Sequence, residues 1–417
     1  MALAASARSV RVKARHSRHP ASAAIPVLFS DAALEPASFD DLPGWKQDNV
    51  AAALSAFRRS CAMNAKKGDI IKPARPLFVA LKPICARAAR LPRHPGEHRA
   101  RAFFGHEFSP YVISSIGQKA GFLTGYYEPE VEGSRTRTPE FTAPLYRRPP
   151  DLIIQAPPSN GQPSNRGPAF RREGGALVPY YERGAIEDGV LKDRGLEVAW
   201  VRDPADAFFA QIQGSIRVRL PDGGVVRLNY DGHNGQPYTP IGRLLVERGL
   251  VPREKMSMDA IRAYIAAHPE EGRELMRENR SFIFFREATE LKADDGAVGA
   301  QGLPLVAQRS IAVDKRIHAY GTPFYIAASL PTGQAGALEP FQHLMIAQDT
   351  GSAIVGPARA DIFFGAGAEA GSISGRIQNP GRFIILLPRS LDPARHSVPL
   401  PPVRPARVDS DTVSEVP

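Results

Sequence analysis

The chain is short of the residues that most common catalytic centres need. It has two cysteines in 417 residues, Cys61 and Cys85. Their spacing fits no common zinc site, and no histidine pair sits near them. They are either two buried thiols or one disulfide, and a disulfide would require an oxidising compartment. The ten histidines form no His-Glu-x-x-His pattern, so neither a metal nor another cofactor is expected. No serine sits in a Gly-x-Ser-x-Gly elbow, which leaves a serine hydrolase unsupported. No apolar run approaches the length of a membrane-crossing helix. There is no internal repeat, no RNP-type aromatic motif and no Cys-x-x-Cys finger. Nucleic acid is therefore not an expected partner, although the net charge is +10 and the pI is near 9.7. Such a basic chain favours other polyanions, the carboxylate-rich bacterial wall among them.

What is present is an ordinary globular composition, 43% hydrophobic and 23% charged, in a chain long enough for two or three domains. A basic stretch at residues 8–18 precedes a small apolar stretch at residues 21–29. This is the order of an export segment, but the apolar part is short, Pro26 interrupts it, and no lipid-attachment cysteine follows. Val50, Leu54, Phe57 and Cys61 recur at helical spacing, and Phe103, Phe104, Phe108 and Val112 predict a second helical face within residues 95–118. Phe122-Leu123-Thr124-Gly125-Tyr126-Tyr127 reads as a strand with an aromatic mouth, and residues 147–175 read as a long surface loop. Alternation over residues 208–220 and 225–230, about the turn Pro221-Asp222-Gly223-Gly224, predicts a hairpin. Residues 241–249 and 257–277 read as helical. Short strands are expected near 281–285, 310–313, 323–327, 343–347, 362–364 and 382–387, and residues 389–417 read as disordered.

The most informative segment is 347–365. Asp349 and Asp361 each stand beside an apolar run, with a loop of small residues between them. A carboxyl group at such a place is partly desolvated, its pKa rises, and it can donate a proton near neutral pH. The simpler reading of Asp349 is an Asx-turn residue that organises a glycine-rich bend. Asp349-Thr350-Gly351-Ser352 is also the tetrapeptide of aspartic proteases. That chemistry needs two such segments, and this chain has one, preceded by the polar Gln348.

Asp314, Asp349 and Asp361 each end or begin an apolar strand-like run, and together they resemble the three-aspartate (3D) domain. Gly125-Tyr126-Tyr127-Glu128-Pro129, with Thr136-Arg137-Thr138-Pro139 and Pro144-Leu145-Tyr146-Arg147-Arg148-Pro149 after it, resembles the opening segment of the MltA-type lytic murein transglycosylases. Gln211-Ile212-Gln213-Gly214-Ser215, and Asn234-Gly235-Gln236-Pro237-Tyr238-Thr239-Pro240-Ile241-Gly242, resemble that family's middle domain. The resemblance spans about residues 100–388, in the family's order. One departure is Ser352, where the family often has a second glycine.

The resemblance implies a mainly β protein with flanking helices. A double-psi β-barrel domain would carry a smaller inserted β domain, with a glycan groove between the two. The implied division is an N-terminal segment 1–35, a first part of the main domain 36–130, an insert 131–283, the three-aspartate part 284–388 and a tail 389–417. The implied activity is that of a lytic exotransglycosylase, a carbon–oxygen lyase. It would cut between N-acetylmuramic acid and N-acetylglucosamine and leave 1,6-anhydro ends. Asp361 aligns with the catalytic aspartate and Asp349 with a supporting one. Thr124, Tyr126, Tyr127, Gln213, Ser215, Tyr238 and Asp314 fall at substrate-binding positions. Tyr126 and Tyr127 could stack on sugar rings, or could simply pack in a core. Implied partners are glycan strands and complexes of wall synthesis or division, around a monomer in the periplasm or at the outer membrane. A protease using Asp349, or a wall-binding protein without catalysis, remain the alternatives.

Overall fold

The computed structural model describes residues 31–67, 74–156 and 167–396. The basic segment and the apolar stretch before residue 31 lie outside them, as do residues 397–417. Along the chain, β1 (Ala32–Pro36), three helices, β2 (Phe108–Ser115) and β3 (Gly121–Glu128) come first. The helices are α1 (Val50–Lys67), α2 (Arg75–Ala89) and α3 (Glu97–Glu107). Nine strands follow in one block: β4 (Glu130–Ser134), β5 (Ala143–Tyr146), β6 (Ile153–Ile154), β7 (Ala169–Glu173), β8 (Ala176–Pro179), β9 (Glu197–Val201), β10 (Ser215–Arg219), β11 (Val225–His233) and β12 (Ile283–Glu287). The last five are β13 (Ser310–Val313), β14 (Pro323–Leu330), β15 (Glu339–Asp349), β16 (Arg359–Ala366) and β17 (Gln378–Pro388).

Six strands close on themselves in the order β3-β16-β13-β15-β14-β17, because β17 also pairs with β3. β2 and β1 extend from β17 outside this ring. The alternation of side chains explains the closure. Leu123, Ile311, Val313, Ala347, Ala360, Ile362 and Phe364 point into one buried core. Their strand neighbours Tyr126, Ala312 and Phe363 face the other way, into a small second cluster with Ala297, Leu305 and Ile354. That outer face of β3, β16 and β13 is the wall on which the candidate site stands.

The helices cover a different part of the outer surface. Phe57 of α1 and Phe103 and Phe104 of α3 pack with Tyr325, Leu344, Ile346, Ile384 and Leu386 of the barrel strands. Cys61 and Cys85 form a disulfide between α1 and α2, Cα to Cα 5.2 Å, so the bonded alternative holds. Asp48, just before α1, is fully buried and takes hydrogen bonds from Arg309, His343 and the Leu344 N–H. Burial pushes its carboxyl upward, but these partners outweigh it and hold the group below the usual carboxylate range.

The block from β4 to β12 is inserted between β3 and β13. Its six-stranded sheet runs β12-β11-β10-β4-β9-β5, and Arg147, just after β5, bridges to Phe285 of β12. A three-stranded sheet, β6-β7-β8, accompanies it. Glu128, the last residue of β3, is fully buried where the chain crosses into the insert. It binds Arg217 at 2.8 Å and Arg227 at 2.8 Å. These two arginines also hold the returning chain through the carbonyls of Ala293, Asp295 and Lys292. One carboxylate thus ties both crossings together.

Local structure departs from the sequence pattern in several places. The predicted helix at 95–118 ends at Glu107 and continues as β2, so Phe104 lies on the helix and Val112 on a strand. Residues 208–213 are helical, not the first arm of a hairpin. The helix Pro204–Gln213 begins at Asp203, whose side chain caps Ala205, and stops at Gly214 with φ +80°. Cap, Pro at the first turn and left-handed glycine outweigh the short alternation. The hairpin itself is β10 and β11. The helical region 257–277 is two helices, Met258–Ala267 and Pro269–Glu278, divided at His268-Pro269. The loop expected at 147–175 contains β6 and β7. Residues 389–396 are ordered rather than disordered, because Asp392 accepts hydrogen bonds from Ser109 and Tyr111.

Candidate active site

β13 is the middle of the site. Ala312 pairs with Asp361 of β16 on one side and with Asp349 of β15 on the other. The second pairing depends on a register shift. Ile311 faces Ala347, but Ala312 faces Asp349, so Gln348 is the extra residue of a bulge. Gln348 turns to α1 and is fully buried. It accepts from Ser310 and donates to the Ala56 carbonyl and to Ser60. Gln301 continues this network to Ser60 and Asn64. A buried amide with all its partners fixes a unique position, and here that position sets the start of the Asp349 loop.

Asp349 is saturated with donors. Its Oδ2 accepts from Tyr126 Oη at 2.8 Å, and its Oδ1 accepts from the N–H groups of Ala300 and Thr350, each at 2.8 Å. Burial pushes its carboxyl upward and the charge of Asp361 adds to this, while the three hydrogen bonds act in the opposite sense. Asp361 has a different environment. Its Oδ1 accepts from Thr124 Oγ1 at 2.6 Å, and its Oδ2 has no hydrogen-bond partner among the described residues. Asp361 keeps some open surface although protein crowds it on most sides. Burial raises its pKa, and the Arg359 charge and the Thr124 hydroxyl pull against that rise. An open carboxyl oxygen with raised proton affinity is what a general acid requires.

The structure thus brings Thr124 to Asp361 and Tyr126 to Asp349. Tyr126 takes part through its hydroxyl alone. Its ring is buried against Phe363, centroids 5.3 Å apart. Tyr127 is buried in the barrel core, with its ring against Gly371. Neither ring has a free face, so the expectation that they stack on sugars is corrected. Gln213 reaches the barrel, accepting from the Tyr127 N–H at 3.1 Å. Ser215 is buried at the first residue of β10, paired with Asn229. Tyr238 lies in the loop after β11, beside Arg183. Asp314 is fully buried and is not placed to contact a ligand. Both its oxygens are occupied by Arg316 and by the N–H groups of Arg316 and Gly356. These contacts hold it below the usual carboxylate range against the upward push of burial. It anchors the loop between the other two aspartates. His318 anchors the same loop at the Pro357 carbonyl, its pKa pushed down to about 4 by burial.

Two residues escaped the sequence reading. Phe122 is 46% exposed and lies on the same side of β3 as Thr124, two residues away. Arg359 pairs with Phe122 across β16 and β3, lies over its ring at 5.4 Å, and donates to Thr124 Oγ1 at 2.8 Å. The signal for Phe122 was present in the period of two along β3. A separate cavity of about 490 Å³ lies in the insert around Arg183, Phe208 and Gln211. Asp203 and Glu187 line it, but Asp314, Asp349 and Asp361 do not.

The barrel with its inserted β unit has counterparts among known proteins. Residues 122–286 match the MltA specific insert domain, and residues 309–387 match the 3D domain. The membrane-bound lytic murein transglycosylase A of Escherichia coli K12 is 34% identical over 267 residues, 63% of this chain and 65% of that protein's length. A crystal structure of a membrane-bound lytic murein transglycosylase from Agrobacterium tumefaciens superposes with a TM-score of 0.77 at 38% identity. It covers 88% of this chain and 100% of that one. The structure of E. coli MltA with bound chitohexaose gives a TM-score of 0.59 at 27% identity, covering 80% of this chain and 89% of that one. The chain belongs to the MltA family of lytic murein transglycosylases.

Proposed function

We propose that the chain is a peptidoglycan lytic transglycosylase in which Asp361 is the single acid and base. The observation that carries this reading is the contrast between the two carboxylates. Burial pushes both carboxyls upward, but Asp349 is fully engaged by donors, whereas Asp361 has one oxygen open. Protonated Asp361 gives its proton to the oxygen linking N-acetylmuramic acid to N-acetylglucosamine. The C1–O bond breaks through an oxocarbenium-like state and the N-acetylglucosamine side leaves with its hydroxyl. The Asp361 carboxylate then takes the proton of the muramoyl 6-hydroxyl as O6 bonds to C1. The acid is regenerated, no water is consumed, and the nucleophile belongs to the substrate, which gives it the advantage of an intramolecular attack.

Asp349 holds Tyr126 and the 300 and 350 loops in place. Phe122 is the exposed aromatic beside Asp361 and is assigned here as the sugar platform. The ligand of the E. coli relative, chitohexaose, is a β-1,4-linked amino-sugar chain, which fits a glycan-strand substrate. The glycan is read as lying along the outer wall of β3 and β16, with the insert as the opposite side. The domain division is read as barrel at 31–128 and 288–392, with the insert between. The relatives' description as membrane-bound and the Cys61–Cys85 disulfide support a place in the cell envelope, on its oxidising, periplasmic side. Among the described residues no helix is long and apolar enough to cross a membrane.

Purified sacculi test the reading. The enzyme should release soluble muropeptides that carry anhydro-muramoyl ends. Sedimentation with sacculi and no release would instead mark a binding protein, and pepstatin-sensitive peptide cleavage a protease.

A further inference from the structure

We propose that Arg359 is a positioning residue for Asp361, acting through the Thr124 hydroxyl to confine the acidic proton to Oδ2, the open oxygen. This rests on Asp361 being the acid. A guanidinium group only donates hydrogen bonds. Arg359 Nη2 lies 2.8 Å from Thr124 Oγ1, so this oxygen accepts. Threonine has a single hydroxyl proton, and Asp361 Oδ1 is 2.6 Å away, so that proton points at Oδ1. An oxygen that accepts at this distance cannot also hold the carboxyl proton along the same line. The proton of Asp361 therefore sits on Oδ2, where no protein group competes for it.

Without Arg359 the polarity of the pair is no longer fixed. Thr124 could then accept from a protonated Oδ1, and the acidic proton would be turned away from the open side. The arginine is itself well fixed for this task. Its other terminal nitrogen donates to the Ala360 carbonyl, and its plane lies over Phe122. It has no carboxylate partner in direct contact among the described residues, so its geometry serves Thr124. Its pKa is lowered by burial and restored in part by Asp361, which places its charge in the field of the acid.

The groups around Asp361 are few. β3 presents Thr124 and Tyr126, β15 ends in Asp349, and Arg359 lies on the same strand as Asp361. Tyr126 and Asp349 are bonded to each other, and Asp314 of the β13 end is turned to Arg316 and Gly356. Tyr320 senses Asp349. Arg359 is thus the one cation of this set that reaches Asp361 through a bonded hydroxyl.

The experiment compares Arg359→Gln, Arg359→Lys, Thr124→Val and Asp361→Asn for kcat against pH on solubilised glycan strands. Circular dichroism checks the fold. Arg359→Gln should lower kcat by about 10²-fold, as a misplaced proton does. It should also move the alkaline limb of the profile, where the acid ionises, to higher pH because a nearby positive charge is gone. Arg359→Lys keeps a charge and a donor and should restore the limb. Thr124→Val should lose kcat as Arg359→Gln does, with the limb moved less. Folded Arg359→Gln enzyme with an unmoved limb and unchanged kcat would overturn the relay. So would a loss in Arg359→Gln that lysine does not rescue and that leaves the limb in place, since that describes a structural role. Should Arg359→Gln fail to fold, Arg359→Lys and Thr124→Val decide by the same two readouts. Activity in Asp361→Asn would instead remove the assignment of the acid itself, so the two failures are distinguishable.

Discussion

Asp349 and Asp361 stand on opposite sides of one alanine, Ala312, each paired to it across a neighbouring strand. Two strand spacings put their Cα atoms about 9–10 Å apart. The side chains face the same outer wall, and only Asp361 keeps an oxygen open. The bulge at Gln348 creates this symmetry around Ala312, and the unequal supply of donors breaks it.

Asp361→Asn should abolish turnover and leave sacculus binding intact. Loss of a general acid costs about 10²–10⁴-fold. Here one group serves both proton transfers, so the upper end is expected. The same substitution should stabilise the fold at neutral pH. The folded-state pKa of Asp361 is raised, so its favourable contribution is complete below the unfolded pKa of about 3.9 and is lost as pH rises through the folded value. Asparagine does not ionise, so the melting temperature of the variant should exceed that of the wild type near pH 7 and match it near pH 3. A lower melting temperature at pH 7 would contradict the assigned shift.

Asp349→Asn should be hurt less than Asp361→Asn, by roughly 10²-fold in kcat. The amide can still accept at one oxygen, but it cannot serve Tyr126 and both backbone N–H groups as the carboxylate does. Steady-state rates of the two variants side by side check this, and a larger loss at Asp349 would favour the protease chemistry.

Phe122→Ala should raise KM by about tenfold with kcat little changed. An exposed ring that binds substrate and transition state alike contributes uniform binding. Kinetics on glycan strands separates this from an effect on kcat alone, which would speak against a platform.

Glu128→Ala should destabilise the protein by about 3–5 kcal/mol, because two arginines lose their buried partner. Denaturant unfolding measures it. A change under 1 kcal/mol would mean that the crossing between barrel and insert is held by other contacts.

Much of the barrel was legible in the sequence. Apolar runs mark the strands that end before Asp314 or carry Asp349 and Asp361. The bulge was not legible, because a register shift depends on the partner strand. Gln348 read as an anomaly beside a protease-like motif, and its reason is the amide network to Ser60 and Gln301. The same limit explains the tyrosines. Aromatic residues at a strand mouth suit both a platform and a core, and only Phe363 and Gly371, distant in sequence, decide for the core. The helix at 204–213 was misread where capping residues outweighed a short alternation. Asp314 was misread because Arg316, two residues on, occupies it.

In the proposed reaction Asp361 works alone and the sugar's own hydroxyl closes the ring. Digestion of sacculi in ¹⁸O-water followed by mass spectrometry tests it most directly. Muramoyl ends should be lighter than hydrolysed ends by one water, not reducible by borohydride, and free of label. Incorporation of ¹⁸O at the muramoyl terminus would show that water attacks C1, and the role assigned to Asp361 would be wrong.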